Sequence, residues 1–529
     1  MTAFPETPKR FNVAGPCVAA KHYRLPPLER LPEVRQLVNE GDYFVIHAAR
    51  QSGKTTFLRA LVDAINAEGR LYALYCSLES LERVEDDEKA MAGVIDNILL
   101  ACKESRVAAL NGLRPEVEQR TPATILQAAL KNLCRSLDKP LVLLFDEADC
   151  LSGQPIITFL RQIRTGFVER SSSPFPWSMA LAGMRNLRDY KAQVRPDGDS
   201  LGTASPFNII TEAMTLPNFT LEEIGRLYQQ HTEAVGQRFD PAAVERVAYW
   251  TGGQPWLVNA VARQAIENDL KRDYAKTVVA AHIDAAADIL GKRRETHIES
   301  LLSRLREPRI KKIIEPVLTG DMGEVELLDD DTQYCLDLGL VVPERIHRSG
   351  LPEGLKPANP IYHEVMIRML NYTFQTRLPS ELDGRWMDGK RMDMTGLLKA
   401  FQEFWRKNSE AGLERCEYKE AWPHLVLQAF LQRVVNGGAH IGRESALGRG
   451  RADLCVEYAG RHYPIELKTA KPGARAGGVA QTARYMDRCG AREGWLVIFD
   501  RDPAKPWEEK ITWTTEELPG NKVVHVAGC

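Results

Sequence analysis

From Leu28 to about Ile266, short apolar runs alternate with helix-length amphipathic stretches, the pattern of a parallel sheet covered by helices on its faces. The runs are Tyr43 to His47, Leu71 to Cys76, Leu141 to Phe145 and Met179 to Ala182. The stretches between them are long enough for right-handed helical crossovers. From about Asp240 to Tyr372 the pattern turns mostly helical, broken at Leu318 to Gly320 and Arg348 to Pro352. There Leu338 to Val342 and Pro360 to His363 are expected to form the two arms of a small wing beside its helices. Around Thr376 to Lys390 the chain becomes polar and carries Gly and Pro, which reads as a linker. The expected organisation is an N-terminal segment at 1–27, an α/β core at 28–266, a helical stretch with a winged helix at 267–375, a linker at 376–395 and a terminal α/β unit at 396–529.

At ~150 residues per domain, 529 residues suggest three to four folding units. The 69 Lys and Arg nearly balance the 71 Asp and Glu, giving a net charge of −2. A chain basic throughout is excluded, so any nucleic-acid contact has to be local. No run approaches the ~20 apolar residues of a membrane span. The start carries no apolar signal-peptide region, and the ten cysteines contain no CxxC pair. A reducing cytoplasm is the expected location, without a membrane partner.

After the first strand comes Ala48-Ala49-Arg50-Gln51-Ser52-Gly53-Lys54-Thr55-Thr56, then a helical pattern from Phe57. This matches the pattern of a phosphate-binding loop except at its first glycine, where Ala48 stands and a small residue suffices. Its chemistry needs backbone N–H groups aimed at a β-phosphate with a helix N-terminus behind them. Lys54 would neutralise phosphate charge and Thr55 would bind Mg²⁺. The run Leu141 to Phe145 leads directly into Asp146-Glu147-Ala148-Asp149. Asp146 is the expected holder of the Mg²⁺ shell and Glu147 the group that polarises the attacking water. No guanine-specifying NKxD-type run occurs, so ATP is the expected nucleotide. The next strand runs into Arg185, Asn186 and Arg188, candidates for polar sensing and for charge stabilisation at the carboxyl edge of the sheet.

The segments HAARQSGKTT, LLFDEAD, LAGMRNLRD, SPFNI and TGGQPWLVNA together resemble the AAA-like ATPases of the signal-transduction (STAND) and archaeal-type class. The resemblance covers about residues 10 to 375 and implies a P-loop NTPase parallel sheet with a helical lid and a winged helix. It implies that Pro255, in Gly253-Gln254-Pro255, helps to sense nucleotide, and that His22 and Tyr23 lie on the adenine side. It leaves room for a homo-oligomer in which a neighbouring subunit supplies an arginine.

In the terminal unit, Gly448 to Tyr458 and Arg461 to Lys468 read as two strands around a turn at Ala459-Gly460. If those two residues form the loop, Asp453 and Glu466 face each other with Cβ atoms ~5 Å apart. A bulge at Gly460 would slip that register by one. Lys468, two residues after Glu466, shares its face. Two carboxylates and an ammonium suit Mg²⁺-assisted phosphodiester cleavage. The spacing D-(x12)-ELK resembles the PD-(D/E)XK nucleases, a restriction-endonuclease-like α/β fold. In that family an acid from an earlier helix completes the metal set, and Glu420 is the candidate, with Glu444 its rival. Gln481 and Tyr485, four apart on one helix face, resemble a Q-x3-Y feature of some members.

Between Arg443 and Arg484 eight Arg and Lys stand against four Asp and Glu, a basic island suited to a DNA backbone. Pro472-Gly473 and Gly477-Gly478 interrupt it as an expected loop beside the site. The combined expectation is an ATP-controlled enzyme that cleaves or processes DNA, suited by family analogy to genome defence or mobile elements. Its competitor is a signalling switch or scaffold with a degenerate nuclease-like module.

Overall fold

The computed structural model describes residues 8–111, 113, 121–184, 208–292, 304–305, 307–319, 329–346, 352–366, 386, 390–413, 422–435, 440–442, 454–502 and 504–529. The chain divides into two compact units, Met1–Ile313 with Met322–Val365, and Ile314–Asp321 with Met366–Cys529. Among the described residues no helix is long and apolar enough to cross a membrane.

The first unit is built on five parallel strands, β1 (Tyr43–His47), β2 (Tyr72–Ser77), β3 (Leu141–Asp146), β4 (Ser178–Gly183) and β5 (Ile210–Thr215), in the order β2-β3-β4-β1-β5. Strands β1, β3 and β4 are buried at every position. This explains why they read as continuous apolar runs and not as alternating ones. Alternate residues serve opposite layers. Tyr43, Val45, Leu143 and Phe145 pack with helices Asp87–Glu104, Ile125–Arg135 and Gln154–Val168. Phe44, Ile46, Val142 and Leu144 pack with Val34–Glu40 and with α1 (Lys54–Glu68). The result is an α/β layer structure with the strand order and loop placement of a P-loop NTPase fold.

β5 is the one strand of this sheet absent from the apolar pattern. It is an edge strand, mostly exposed, and only Met214 of its residues is buried. It leads to α2 (Leu221–Val235), whose start is fixed by a reciprocal capping box between Thr220 and Glu223. Next come Pro241–Thr251, α3 (Pro255–Arg263) and Ala280–Lys292, each of the first two carrying Pro at its first position, where no N–H is needed.

The wing differs from the expected one. Its arms are β6 (Val341–Ile346) and β7 (Pro352–Pro357), whereas Pro360 begins a helix. Asn359 caps that helix by accepting from the Tyr362 N–H at 2.8 Å. Proline at the ends of β7 is tolerated because a two-stranded ribbon leaves an open edge on each strand.

The second unit holds a mixed six-stranded sheet ordered β12-β13-β11-β10-β9-β8. These are β8 (His440–Gly442), β9 (Leu454–Tyr458), β10 (Arg461–Thr469), β11 (Glu493–Phe499), β12 (Thr512–Leu518) and β13 (Lys522–Gly528). β10 pairs with β11 and β11 with β13 in parallel, whereas β8 with β9, β9 with β10 and β12 with β13 pair antiparallel. Helices Met394–Leu413 and Trp422–Val435 share a core with Tyr463, Ile465 and Leu467 on one face. On the other face α4 (Ala474–Cys489) packs Val479 and Met486 on Leu496, Val524 and Val526. Gly477 and Gly478 therefore lie in a helix and not in a loop. A Cβ on Gly478 would stand 2.6 Å from the Leu496 side chain, so the glycine is what lets α4 lie close against the sheet.

Candidate nucleotide site and candidate nuclease site

The loop from Ala48 to Gly53 joins β1 to α1. Gln51 at φ 59 and Gly53 at φ 96 make the turn that brings the chain back over the helix N-terminus. Lys54 is buried, and its ammonium donates to the carbonyls of Ala48 at 2.9 Å and Ala49 at 3.2 Å. Thr55 Oγ1 donates to Asp146 Oδ2 at 2.6 Å, and the Tyr75 hydroxyl donates to the same oxygen at 2.9 Å. Asp146 is 1% exposed, and its other oxygen accepts from the Glu147 N–H at 3.1 Å.

Glu147 follows with φ 55, a left-handed conformation that a non-glycine residue holds only under constraint. Burial raises its carboxyl from an ordinary 4.5 to about 7. Lys54 opposes that shift, while Asp149, Asp146 and Glu79 add to it.

A cavity of about 310 Å³ opens over the loop, with Arg50 to Thr56 and Glu147 along one side and Pro255 and Trp256 along another. The segment Asn12 to Cys17 straps across it. The strap is pinned at three points: Asn12 N–H to Asn259 Oδ1 at 3.2 Å, Trp256 Nε1–H to the Val13 carbonyl at 2.8 Å, and Cys17 N–H to Thr56 Oγ1 at 3.0 Å. Tyr23 lines the cavity. His22 accepts from the Val18 N–H at 3.0 Å.

Two residues tie the loop to distant parts of the unit, and the sequence reading assigned a role to neither. Gln254, 2% exposed, accepts from Leu257 N–H at 2.6 Å to cap α3. Its amide donates to the loop carbonyls of Arg50 at 3.3 Å and Gln51 at 3.5 Å. Arg30 reaches under the loop to the Ser52 carbonyl at 2.8 Å. Just before the loop, His47 meets Thr215 Oγ1 at 2.8 Å and Asp337 Oδ1 at 3.5 Å. A Cβ on Gly339 would stand 2.7 Å from that of Ala49, so the turn before the wing lies against the loop.

These residues fit a magnesium nucleotide. The Ser52 hydroxyl is buried without a partner among the described residues, Gly53 opens the turn, and Lys54, Thr55 and Asp146 converge behind it. Arg185, Asn186 and Arg188 lie outside the described residues.

In the second unit the described hairpin pairs Leu454 with Ile465 and Tyr458 with Arg461, around Ala459 at φ 49 and Gly460 at φ 73. That is an unbulged two-residue turn with both residues left-handed. Glu466 is fully buried, and Lys468 Nζ lies 2.7 Å from its Oε1. Both alternate with Ile465 and Leu467, so they stand on the face that α4 covers. On α4, Gln481 Nε2 donates to the Tyr485 hydroxyl at 2.7 Å. Asp453, Glu420 and Glu444 lie outside the described residues. Among the described residues no group of three or more His, Cys, Asp or Glu stands in metal-holding geometry.

The chain matches no family model and no curated protein. Solved structures similar to it include a Walker-type ATPase of Pyrococcus abyssi, at 15% identity and a TM-score of 0.45, spanning 67% of this chain and 99% of that one. The Aeropyrum pernix ORC1 protein in complex with DNA is similar at 16% identity and a TM-score of 0.35, over 67% and 95% of the two chains. The Thermotoga maritima RuvB Holliday junction branch migration motor is similar at 14% identity and a TM-score of 0.33, over 62% and 91%.

Proposed function

We propose that the first unit binds and hydrolyses ATP with Mg²⁺, and that the second cleaves or processes DNA with Mg²⁺. The observation that carries the first half is the contact of Thr55 with the buried Asp146 at 2.6 Å, beside the cavity that Lys54, Thr55 and Glu147 line. Thr55 and Asp146 would hold the metal, which supplies a Lewis acid to the terminal phosphate oxygens. Lys54 neutralises the β/γ-phosphates, and the backbone N–H groups from Ala49 to Thr56 cradle them. Glu147, with a carboxyl near 7, accepts a proton from the attacking water. Pro255 and Gln254 carry the state of the loop to the lid, because the Gln254 side chain caps α3 with its oxygen and holds the Arg50 and Gln51 carbonyls with its nitrogen.

The nuclease half is supported by the 2.7 Å approach of Lys468 to the buried Glu466 on the helix-covered face of the sheet. There Asp453 and Glu466, with Glu420 as a third acid, would hold Mg²⁺, and Lys468 would orient the attacking water. DNA contact is local to this unit, along the basic island.

Purified protein tests both halves. Lys54→Ala is expected to abolish Mg²⁺-dependent ATP turnover. Asp453→Ala is expected to abolish cleavage of single-stranded, duplex or branched DNA while leaving ATP binding intact. Failure of the unmutated protein to cut any of these substrates with Mg²⁺ or Mn²⁺, with and without ATP, eliminates the nuclease half and favours a switch or scaffold.

A further inference from the structure

Arg30 is half-buried and makes few hydrogen bonds for its five donors. It ends a short 3-10 turn, Pro27–Arg30, and is separated in sequence from the loop it touches. One terminal nitrogen donates to the Ser52 carbonyl at 2.8 Å and the other donates to the Pro217 carbonyl. The guanidinium lies 4.9 Å from the centroid of the Phe219 ring. Gly53 turns so closely over it that a Cβ there would stand 3.0 Å from Nη1.

Those two bonds use two of its five N–H donors, and of the others Nε–H is buried without a partner among the described residues. No described carboxylate stands at ion-pair distance from the group. Burial lowers its pKa to about 10, with the Glu223 charge opposing the shift. Guanidinium groups are sheltered at little cost only where oxygen acceptors meet their five donors, and phosphate oxygens meet them well.

One residue before Gly53, the Ser52 hydroxyl repeats the pattern. Ser52 is 2% exposed, and its Oγ has no partner among the described residues. Arg30 and Ser52 both line the cavity beside Lys54 and Thr55.

We infer that Arg30, through Nε–H, and Ser52, through its hydroxyl, are ligands of the phosphate chain of a nucleoside di- or triphosphate, additional to Lys54. The inference rests on the nucleotide-binding reading of this cavity and deepens it. A phosphate held there meets the buried Nε–H of a half-buried cation and a buried hydroxyl together. It also touches a group that holds the Pro217 carbonyl, two residues from Phe219, whose N–H donates to the Gly253 carbonyl at 2.8 Å before the lid helix.

Affinities for ATP, ADP and adenosine, measured by displacement of a fluorescent nucleotide at one salt concentration, test it in the full-length protein. Arg30→Gln is expected to weaken ATP and ADP by about tenfold or more and to leave adenosine unchanged, because a charge-assisted bond to phosphate is lost. Arg30→Lys recovers part of that loss, and Ser52→Ala weakens ATP by a few-fold. Wild-type ATP affinity in both Arg30→Gln and Ser52→Ala overturns the inference. Equal weakening of ATP and adenosine in Arg30→Gln also overturns it, since that marks a loop-positioning role. If melting without nucleotide shows Arg30→Gln unfolded, Ser52→Ala decides alone. The nucleotide reading fails in a separate way, by the unmutated protein binding neither ATP nor ADP with Mg²⁺.

Discussion

Thr55 Oγ1 and Asp146 Oδ2 are 2.6 Å apart, so the residue after the phosphate-loop lysine and the last residue of β3 are in direct hydrogen-bond contact across 91 positions of sequence. The parallel sheet brings this about, since β3 and β1 both end at the edge where the loop turns. Tyr75 adds a second donor to the same carboxylate oxygen and fixes its rotamer. Asp146→Asn keeps the shape but removes the negative charge that a divalent cation requires. ATP turnover is expected to fall by ~100-fold or more. Affinity for ATP without Mg²⁺ stays near that of the unmutated protein. Equal turnover in the two proteins, measured by phosphate release, would remove Asp146 from the metal set.

Glu147 gives a pH prediction with a definite sign. Its carboxyl lies at about 7 against an ordinary 4.5, with burial as the main cause. As a base it is active when deprotonated, so turnover is expected to rise with pH, with a midpoint near 7, and then to level off. Native stability runs the other way. A carboxyl whose folded value is raised binds its proton more tightly in the native state, so its contribution is full below about 4.5 and is lost as pH rises through about 7. Glu147→Gln should therefore lose turnover, lose the pH step, and gain in melting temperature relative to the unmutated protein more at pH 8 than at pH 4.5. An unshifted midpoint in the substituted protein would refute the assignment.

Gln254 joins the loop to α3. It is buried, caps α3 through Leu257 N–H, and donates to two loop carbonyls. Gln254→Ala removes the cap and leaves those carbonyls without this donor. A loss of about 1–3 kcal/mol in urea unfolding is expected, with weaker ATP binding in step. Gln254→Glu retains the acceptor for Leu257 but lacks the donor, so it should recover cap stability and not ATP affinity. Full recovery of both would show that the loop contact is idle.

What the sequence reveals here depends on how local the cause is. The loop and its acidic strand were legible because strand, loop and helix follow one another within a few residues, and because strands buried on both faces leave continuous apolar runs. β5 left no such run, since an edge strand with one buried residue has little apolar pattern to show. The second arm of the wing is expected at Pro360 to His363 because Arg348 to Pro352 reads as a turn; the ribbon tolerates Pro352 at the start of β7, and Pro360 instead opens a helix. Gly477-Gly478 suggested a loop for a similar reason, although glycine also serves where a helix must approach a sheet closely. Arg30 had no local signal at all. Its partners are the Ser52 and Pro217 carbonyls, and only the fold brings them to it.

Glu466 and Lys468 offer the sharpest test of the second unit. Glu466 is fully buried and the Lys468 side chain is 31% exposed, with 2.7 Å between the charged atoms. A solvent-exposed pair of this kind contributes ~0–1 kcal/mol. A pair with one partner wholly inside the sheet should couple more strongly, by about 1–3 kcal/mol in a double-mutant cycle of Glu466→Gln and Lys468→Met read by urea unfolding. Lys468→Met alone should be the more damaging substitution, because it strips compensation from a buried carboxylate. Lys468→Met with Glu466→Gln should recover most of that loss by removing the charge itself. The same proteins separate architecture from chemistry. If the pair is part of a cleavage site, the double variant refolds to near-normal stability yet leaves DNA uncut with Mg²⁺, while its ATP turnover is unchanged. Cleavage restored along with stability would make the pair a structural ion pair and move the catalytic assignment away from β10.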